Sequence, residues 1–128
     1  MRALIDTNIL IDYLGGIDAA RKELSRHDDP AISAITWMEV MVGAEDDREA
    51  THLRWFLSGF TRVPIDDEVS ELAVTIRREL RIRLPDAIIR ASARRIGGVL
   101  VTRNTKDFPA DDPGVRVPYS IAGRETGS

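Results

Sequence analysis

One stretch constrains the fold more than any other: Ala3-Leu4-Ile5-Asp6-Thr7-Asn8-Ile9-Leu10. Three apolar residues end in a carboxylate, a hydroxyl and an amide, and the apolar pattern then resumes. A short apolar run without alternation is the pattern of a strand buried on both faces, as in parallel sheets covered by helices. Such a strand delivers its polar groups to the C-terminal edge of the sheet, where open α/β sheets bind ligands. Whether other acids reach that edge decides what the chain can do.

Residues 2–5 read as this first strand, and 7–14 as a helix stopped by Gly15-Gly16. A second helix is expected over 18–26, with Ala20 and Leu24 facing inward, and Asp28-Asp29-Pro30 as a turn before a strand at 31–33. Helices follow at 36–44 and 45–57, then a strand at 62–65 whose Pro64 suits a sheet edge. Residues 67–81 give the clearest helical stripe, through Val69, Leu72, Ala73, Ile76 and Leu80. Pro85 suits the start of another helix running to about residue 96, whose apolar residues surround most of its circumference. Residues 99–101 form a second wholly apolar strand, and 115–117 a last short one. Strands alternating with helices predict a three-layer α/β/α sandwich around a parallel sheet of four to five strands. One domain over residues 1–122 and a disordered tail at 123–128 complete the expected organisation.

Composition narrows the chemistry. With 128 residues, 43% apolar and 30% charged, the chain can bury a core, and no apolar run reaches the length of a membrane span. A cytoplasmic protein is expected. No cysteine is present, which removes thiolate metal sites and disulfides. The two histidines have no metal spacing, and His27, near a helix end, reads as a dipole partner. No P-loop, G-x-S-x-G or G-x-G-x-x-G occurs.

Four carboxylates can be placed. Asp6 ends the first strand; Glu39 falls in the first turn of the helix after the second strand; Asp86 falls in the first turn of the helix begun by Pro85; Asp107 lies in the loop past 99–101. Topology alone brings Asp6, Glu39 and Asp107 to one sheet edge. Carboxylates gathered there repel one another, and a hard divalent cation relieves the repulsion. With oxygen ligands only, Mg2+ or Mn2+ is the expected ion. Each acid also has an ordinary reading: Thr36-x-x-Glu39 matches a helix capping box, Asp6 and Asp86 suit helix starts, and Asp107 suits a turn. The net charge of −3 does not exclude a polyanionic substrate, because setting the four acids aside leaves 17 acidic residues against 18 basic ones.

The same residues carry a family resemblance. Leu4-Ile5-Asp6-Thr7-Asn8-Ile9-Leu10 resembles the opening motif of PIN-domain nucleases, and Thr36-Trp37-Met38-Glu39-Val40 with Gly43-Ala44 resembles the second motif. Arg83-Leu84-Pro85-Asp86-Ala87-Ile88-Ile89 is similar to the third, and Val101-Thr102-Arg103-Asn104-Thr105-Lys106-Asp107-Phe108 to the fourth. At this length the chain resembles the VapC-type toxins of VapBC toxin–antitoxin pairs. The resemblance implies a Mg2+- or Mn2+-dependent endoribonuclease held inactive by a VapB-like antitoxin, with a homodimer favoured. It implies Asp6, Glu39, Asp86 and Asp107 as the acidic cluster, Asp6 and Asp86 as principal metal ligands, and Thr7 and Thr102 as supporting hydroxyls. Asn104 stands where many PIN domains place another acid; it can orient a water or a ligand, and Asn8 reads as a helix-start residue. The implied reaction is hydrolysis, with water attacking phosphorus in line and the 3′ oxygen expelled.

The main rival is a catalytically degenerate PIN-like module that only binds protein or RNA. A phosphatase or phospho-receiver domain also uses Mg2+ at strand ends, but the first wants Asp-x-Asp where this chain has Asp6-Thr7-Asn8, and the receiver pattern is missing as well. The arginines at 77, 78, 81, 83, 90, 94 and 95 form a cluster that can face RNA, antitoxin or solvent. Trp37 and Trp55 are expected in the core or a dimer interface.

Overall fold

The computed structural model describes residues 2–121, and the tail expected at 123–128 lies outside the described residues. Five strands, β1 (Ala3–Ile5), β2 (Ala31–Ser33), β3 (Thr61–Val63), β4 (Val99–Val101) and β5 (Val115–Arg116), form one sheet in the order β3-β2-β1-β4-β5. Every pairing is parallel. Six helices connect them: α1 (Thr7–Leu14), α2 (Asp18–Ser25), α3 (Ala34–Val42), α4 (Asp47–Leu57), α5 (Asp67–Leu80) and α6 (Leu84–Arg95).

The strand alternation sorts the core into two layers. Leu4, Ala31 and Leu100 face a cluster with Val69, Ala73 and Ile76 of α5 and Ala87, Ile89, Ala91 and Ala93 of α6. Ala3, Ile5, Ile32 and Val101 face the opposite cluster, with Ile9 and Leu10 of α1, Ala20 of α2, Val40 of α3 and Leu57 of α4. Two helical layers on a parallel sheet make the α/β/α sandwich. The chain runs outward from β1 through β2 to β3, then crosses back to place β4 and β5 on the other side. Strand order therefore reverses between β1 and β4, the point at which such sheets open a crevice for ligands. No helix among the described residues is long and apolar enough to cross a membrane.

Several boundaries move for identifiable reasons. The third strand is Thr61–Val63 rather than 62–65, at the sheet edge that Pro64 suggested. Helix α3 starts at Ala34, two residues before the expected start, because the buried Ser33 hydroxyl accepts from the Ile35 N–H at 3.1 Å and serves as N-cap. The Thr36–Glu39 capping box is thus not formed: Thr36 is already inside the helix, and Glu39 lies in its second turn rather than its first. Leu80, expected on the buried stripe of α5, is 49% exposed. Trp55 is 77% exposed, so it is not a core residue of this chain. Trp37 is half-buried, with the Arg62 guanidinium 4.4 Å from its ring centre.

Candidate acidic site at the sheet switch point

Asp6 follows β1 directly and has no exposure to solvent. Its Oδ1 accepts from the Thr7 N–H at 2.7 Å, so it caps α1. Its Oδ2 accepts from the Thr102 hydroxyl at 2.7 Å and from the Asn8 amide at 3.2 Å. Thr102 follows β4, so this bond spans the switch point. The Thr102 oxygen accepts in turn from the Asn104 N–H at 2.9 Å. Asn8 is more than a helix-start residue: its Oδ1 accepts from the Arg103 N–H at 3.2 Å and ties the loop after β4 to α1.

The other acids come to the same edge. The Thr7 hydroxyl donates to Glu39 Oε1 at 2.7 Å and lies 3.0 Å from the Thr36 hydroxyl oxygen, which orients Glu39 from α3. Asp86, in the first turn of α6, is 3% exposed, and its Oδ2 accepts from Arg83 Nε at 3.1 Å. Asp107 is held by the buried Asn104, whose Nδ2 donates to Asp107 Oδ2 at 3.0 Å and whose Oδ1 accepts from the Asp107 N–H at 3.1 Å. Both ends of the Asn104 amide are therefore committed to positioning Asp107.

The electrostatics register this convergence. Burial pushes the Asp6 carboxyl up to about 6; the Thr102 and Thr7 hydrogen bonds oppose the shift, and the charges of Asp86 and Glu39 add to it. Burial also raises Asp86 against the pull of the Arg83 cation, and Asp107 and Glu39 raise it further. Glu39 thus raises both carboxyls, Asp86 raises Asp6, and Asp107 raises Asp86. For a divalent cation the donor set is right in kind, being oxygen only, and the cluster carries the negative charge that a cation would offset. Among the described residues no three acids lie close enough to make a preassembled metal-binding group, so the fit is one of donor chemistry and charge.

A buried layer behind the site has no sequence signature. Asp12 of α1, 2% exposed, pairs with Arg103 through Nε–Oδ2 at 2.6 Å and Nη2–Oδ1 at 3.1 Å, and its Oδ2 also accepts from the Tyr119 hydroxyl at 2.8 Å. Glu23 of α2 accepts from Arg116 at 2.8 and 2.9 Å and contacts His27, just past the end of the helix, at 2.9 Å. The Asp12 pair fixes Arg103, whose neighbours Thr102 and Asn104 hold Asp6 and Asp107. The sequence offered only the outward hint that Asp12 interrupts an apolar helix face. The arginine cluster is divided: Arg90 is buried on Asp112, Arg83 pairs with Asp86, and Arg95 pairs with Asp66 and Glu68.

Two outcomes are expected. Asp12→Ala leaves the Arg103 cation buried beside an empty place and should cost about 3–5 kcal/mol in denaturant unfolding, whereas Tyr119→Phe should cost about 1 kcal/mol. In the metal-free protein, with EDTA present, the Asp6 side-chain carboxyl carbon should titrate with a midpoint near 6 by NMR, against the ordinary 3.8. Between those values the folded protein keeps a proton that the unfolded chain has released. The contribution of Asp6 to stability therefore falls as pH rises through that window, by about 3 kcal/mol in all. A midpoint near 3.8 would contradict the burial described.

Comparison with known proteins agrees with this architecture. The PIN-domain profile matches residues 3–110. No curated protein matches the chain. A chain of a toxin–antitoxin complex from Klebsiella pneumoniae is 48% identical, with a TM-score of 0.87 over 93% of this chain and 99% of that one. DNA-bound VapBC from Salmonella typhimurium supplies a chain 27% identical, with a TM-score of 0.76 over 91% and 96%. FitAcB from Neisseria gonorrhoeae supplies one 25% identical, with a TM-score of 0.77 over 93% and 99%. The chain therefore belongs to the PIN-domain family, the nuclease family that includes the toxins of VapBC-type pairs.

Proposed function

We propose that the chain is an endoribonuclease toxin dependent on Mg2+ or Mn2+, acting in the cytoplasm on RNA phosphodiesters, working as a homodimer and neutralised by a VapB-like antitoxin. The observation that carries this reading is that the buried carboxyls of Asp6 and Asp86, at the switch point of the sheet, are both raised by burial and by neighbouring acids: Asp86 and Glu39 act on the first, Asp107 and Glu39 on the second. Acids that raise one another's carboxyls at a helix-and-strand edge, with hydroxyls and amides spent on orienting them, form a costly arrangement that a folding role does not require. The intact acids favour an enzyme over a degenerate binding module, and Asn104, the one amide where an acid is common, supports Asp107.

Asp6 and Asp86 are the proposed metal ligands. A bound Mg2+ or Mn2+ offsets the charge of the phosphodiester and lowers the pKa of water. The chain's own groups supply the rest. Thr102 and the Thr7 N–H hold the Asp6 oxygens at fixed angles, so that this carboxylate need not reorganise when substrate arrives. Glu39 is exposed, and one of its oxygens accepts from the Thr7 hydroxyl; in this reading its other oxygen takes the proton of the attacking water. Asp107, steered by Asn104, adds its negative charge beside Asp86. Water attacks phosphorus in line, the P–O3′ bond breaks, and the 3′ oxygen leaves as a hydroxyl after protonation. The products carry a 5′-phosphate and a 3′-hydroxyl, and the RNA 2′-hydroxyl is not the nucleophile.

Asp86→Asn should keep the protein folded, since Arg83 can still donate to the amide oxygen, and should lower RNA cleavage by at least about a hundredfold. The check is cleavage of total RNA with mapped ends, alongside circular dichroism of the variant. Full activity in Asp86→Asn, cleavage that survives EDTA, or ends bearing a 2′,3′-cyclic phosphate would overturn the reading.

A further inference from the structure

A cavity of about 390 Å³ opens beside Asp107, between the turn that joins α5 to α6 and the loop after β4. Three cations, Arg81, Arg90 and Lys106, and two carboxylates, Asp107 and Asp112, line it. Arg90 is buried there and already committed, donating to both Asp112 oxygens at 3.1 and 3.2 Å and to the Gly114 carbonyl at 3.2 Å. Arg81 and Lys106 are exposed and join no ion pair among the described residues. They come from segments far apart in sequence, yet both border the one cavity.

Arg81 is also strained. It ends α5 with φ 56° and ψ 31°, donating its N–H to the Arg77 carbonyl at 3.0 Å, and is the only non-glycine residue with positive φ among the described residues. Glycine is the ordinary choice at that position because a side chain there is strained. A strained residue kept with a large cationic side chain calls for a function at that spot. The cavity is cationic on one side and apolar on another, where the half-exposed Leu80 and the exposed Pro109 form part of the wall. A nucleotide, with an anionic phosphate and a flat base, matches both walls; a run of carboxylates would match only the first.

We propose that Arg81 and Lys106 form a phosphate-binding subsite for single-stranded RNA, which grips the backbone next to the phosphodiester held at the acid cluster. The subsite rests on the ribonuclease reading, because the strand that crosses the acids would pass Asp107 and run into this cavity. Its cations hold the flanking phosphate and leave the chemistry to the acids.

The test measures binding of a short single-stranded oligoribonucleotide in EDTA, where cleavage is suppressed, and cleavage of the same oligonucleotide in Mn2+. Arg81→Gln combined with Lys106→Gln should weaken binding about tenfold and make the plot of log affinity against log salt shallower by about 0.7, the value for one phosphate released. Arg81→Gly alone should weaken binding while raising the melting temperature, since glycine takes the left-handed conformation freely; a purely structural Arg81 would not separate the two. Unchanged binding in the double variant, or no binding by the wild type, overturns the subsite. Loss of affinity for an oligoglutamate peptide with RNA binding intact overturns it in favour of an acidic protein segment. RNA binding that depends on both cations, without cleavage by the wild type in Mn2+, supports the subsite and counts against the nuclease reading alone.

Discussion

A carboxylate sealed from water at the end of the first strand is the interaction on which the rest of the molecule turns. Burying Asp6 is unfavourable for its charged form, and its carboxyl is pushed up to about 6 as a result. The fold tolerates this because three donors meet the carboxylate from two directions. The Thr7 N–H and the Asn8 amide come from the start of α1, and the Thr102 hydroxyl comes from the loop after β4. Those directions exist only because β1 and β4 lie side by side in parallel register, with Ala3 opposite Val99, Leu4 opposite Leu100 and Ile5 opposite Val101. The pairing that builds the core thereby also places the hydroxyl.

From this centre the supports extend outward in layers. Asn104 aims Asp107, Thr7 aims Glu39, and Arg83 partly neutralises Asp86. Behind them, Asp12 grips Arg103 and Tyr119, while Glu23 grips Arg116. Two buried acids on α1 and α2 therefore hold the end of the sheet and the segment beyond it against the loop that carries Thr102. A buried pair of this kind is a modest source of stability but strongly penalises any arrangement that separates its members. That suits a loop whose task is to keep two polar residues in place beside a charged site.

Much of the arrangement was legible in the sequence because it is local. The apolar run ending in Asp6, the apolar 99–101 strand and the stripe of α5 reported the parallel sheet and its helices, and Asp86 followed from Pro85 at a helix start. What failed to show depended on competition or on distance. Ser33 and Thr36 both suit a helix cap and are equally buried; the Ser33 hydroxyl takes the cap by accepting from the Ile35 N–H, which moves Glu39 into the second turn. The Asp12–Arg103 pair joins residues 91 positions apart, and no local pattern encodes it. Arginines that look alike in sequence also separate by depth: Arg90 is buried on Asp112, whereas Arg81 remains exposed. The exposure of Trp55 was likewise invisible, since an aromatic residue on an amphipathic helix reads as core until the neighbouring layers are known.

The buried, proton-hungry Asp6 belongs, on this reading, to a cation site. Thermal unfolding in Mn2+ against EDTA tests it most directly, on the wild type and on Asp6→Asn. A ligand that binds only the folded state raises its melting temperature in proportion to the logarithm of occupancy. The wild type should melt higher in Mn2+ than in EDTA, and Asp6→Asn should melt at the same temperature in both. No difference for the wild type, or an equal rise in the variant, would contradict the account.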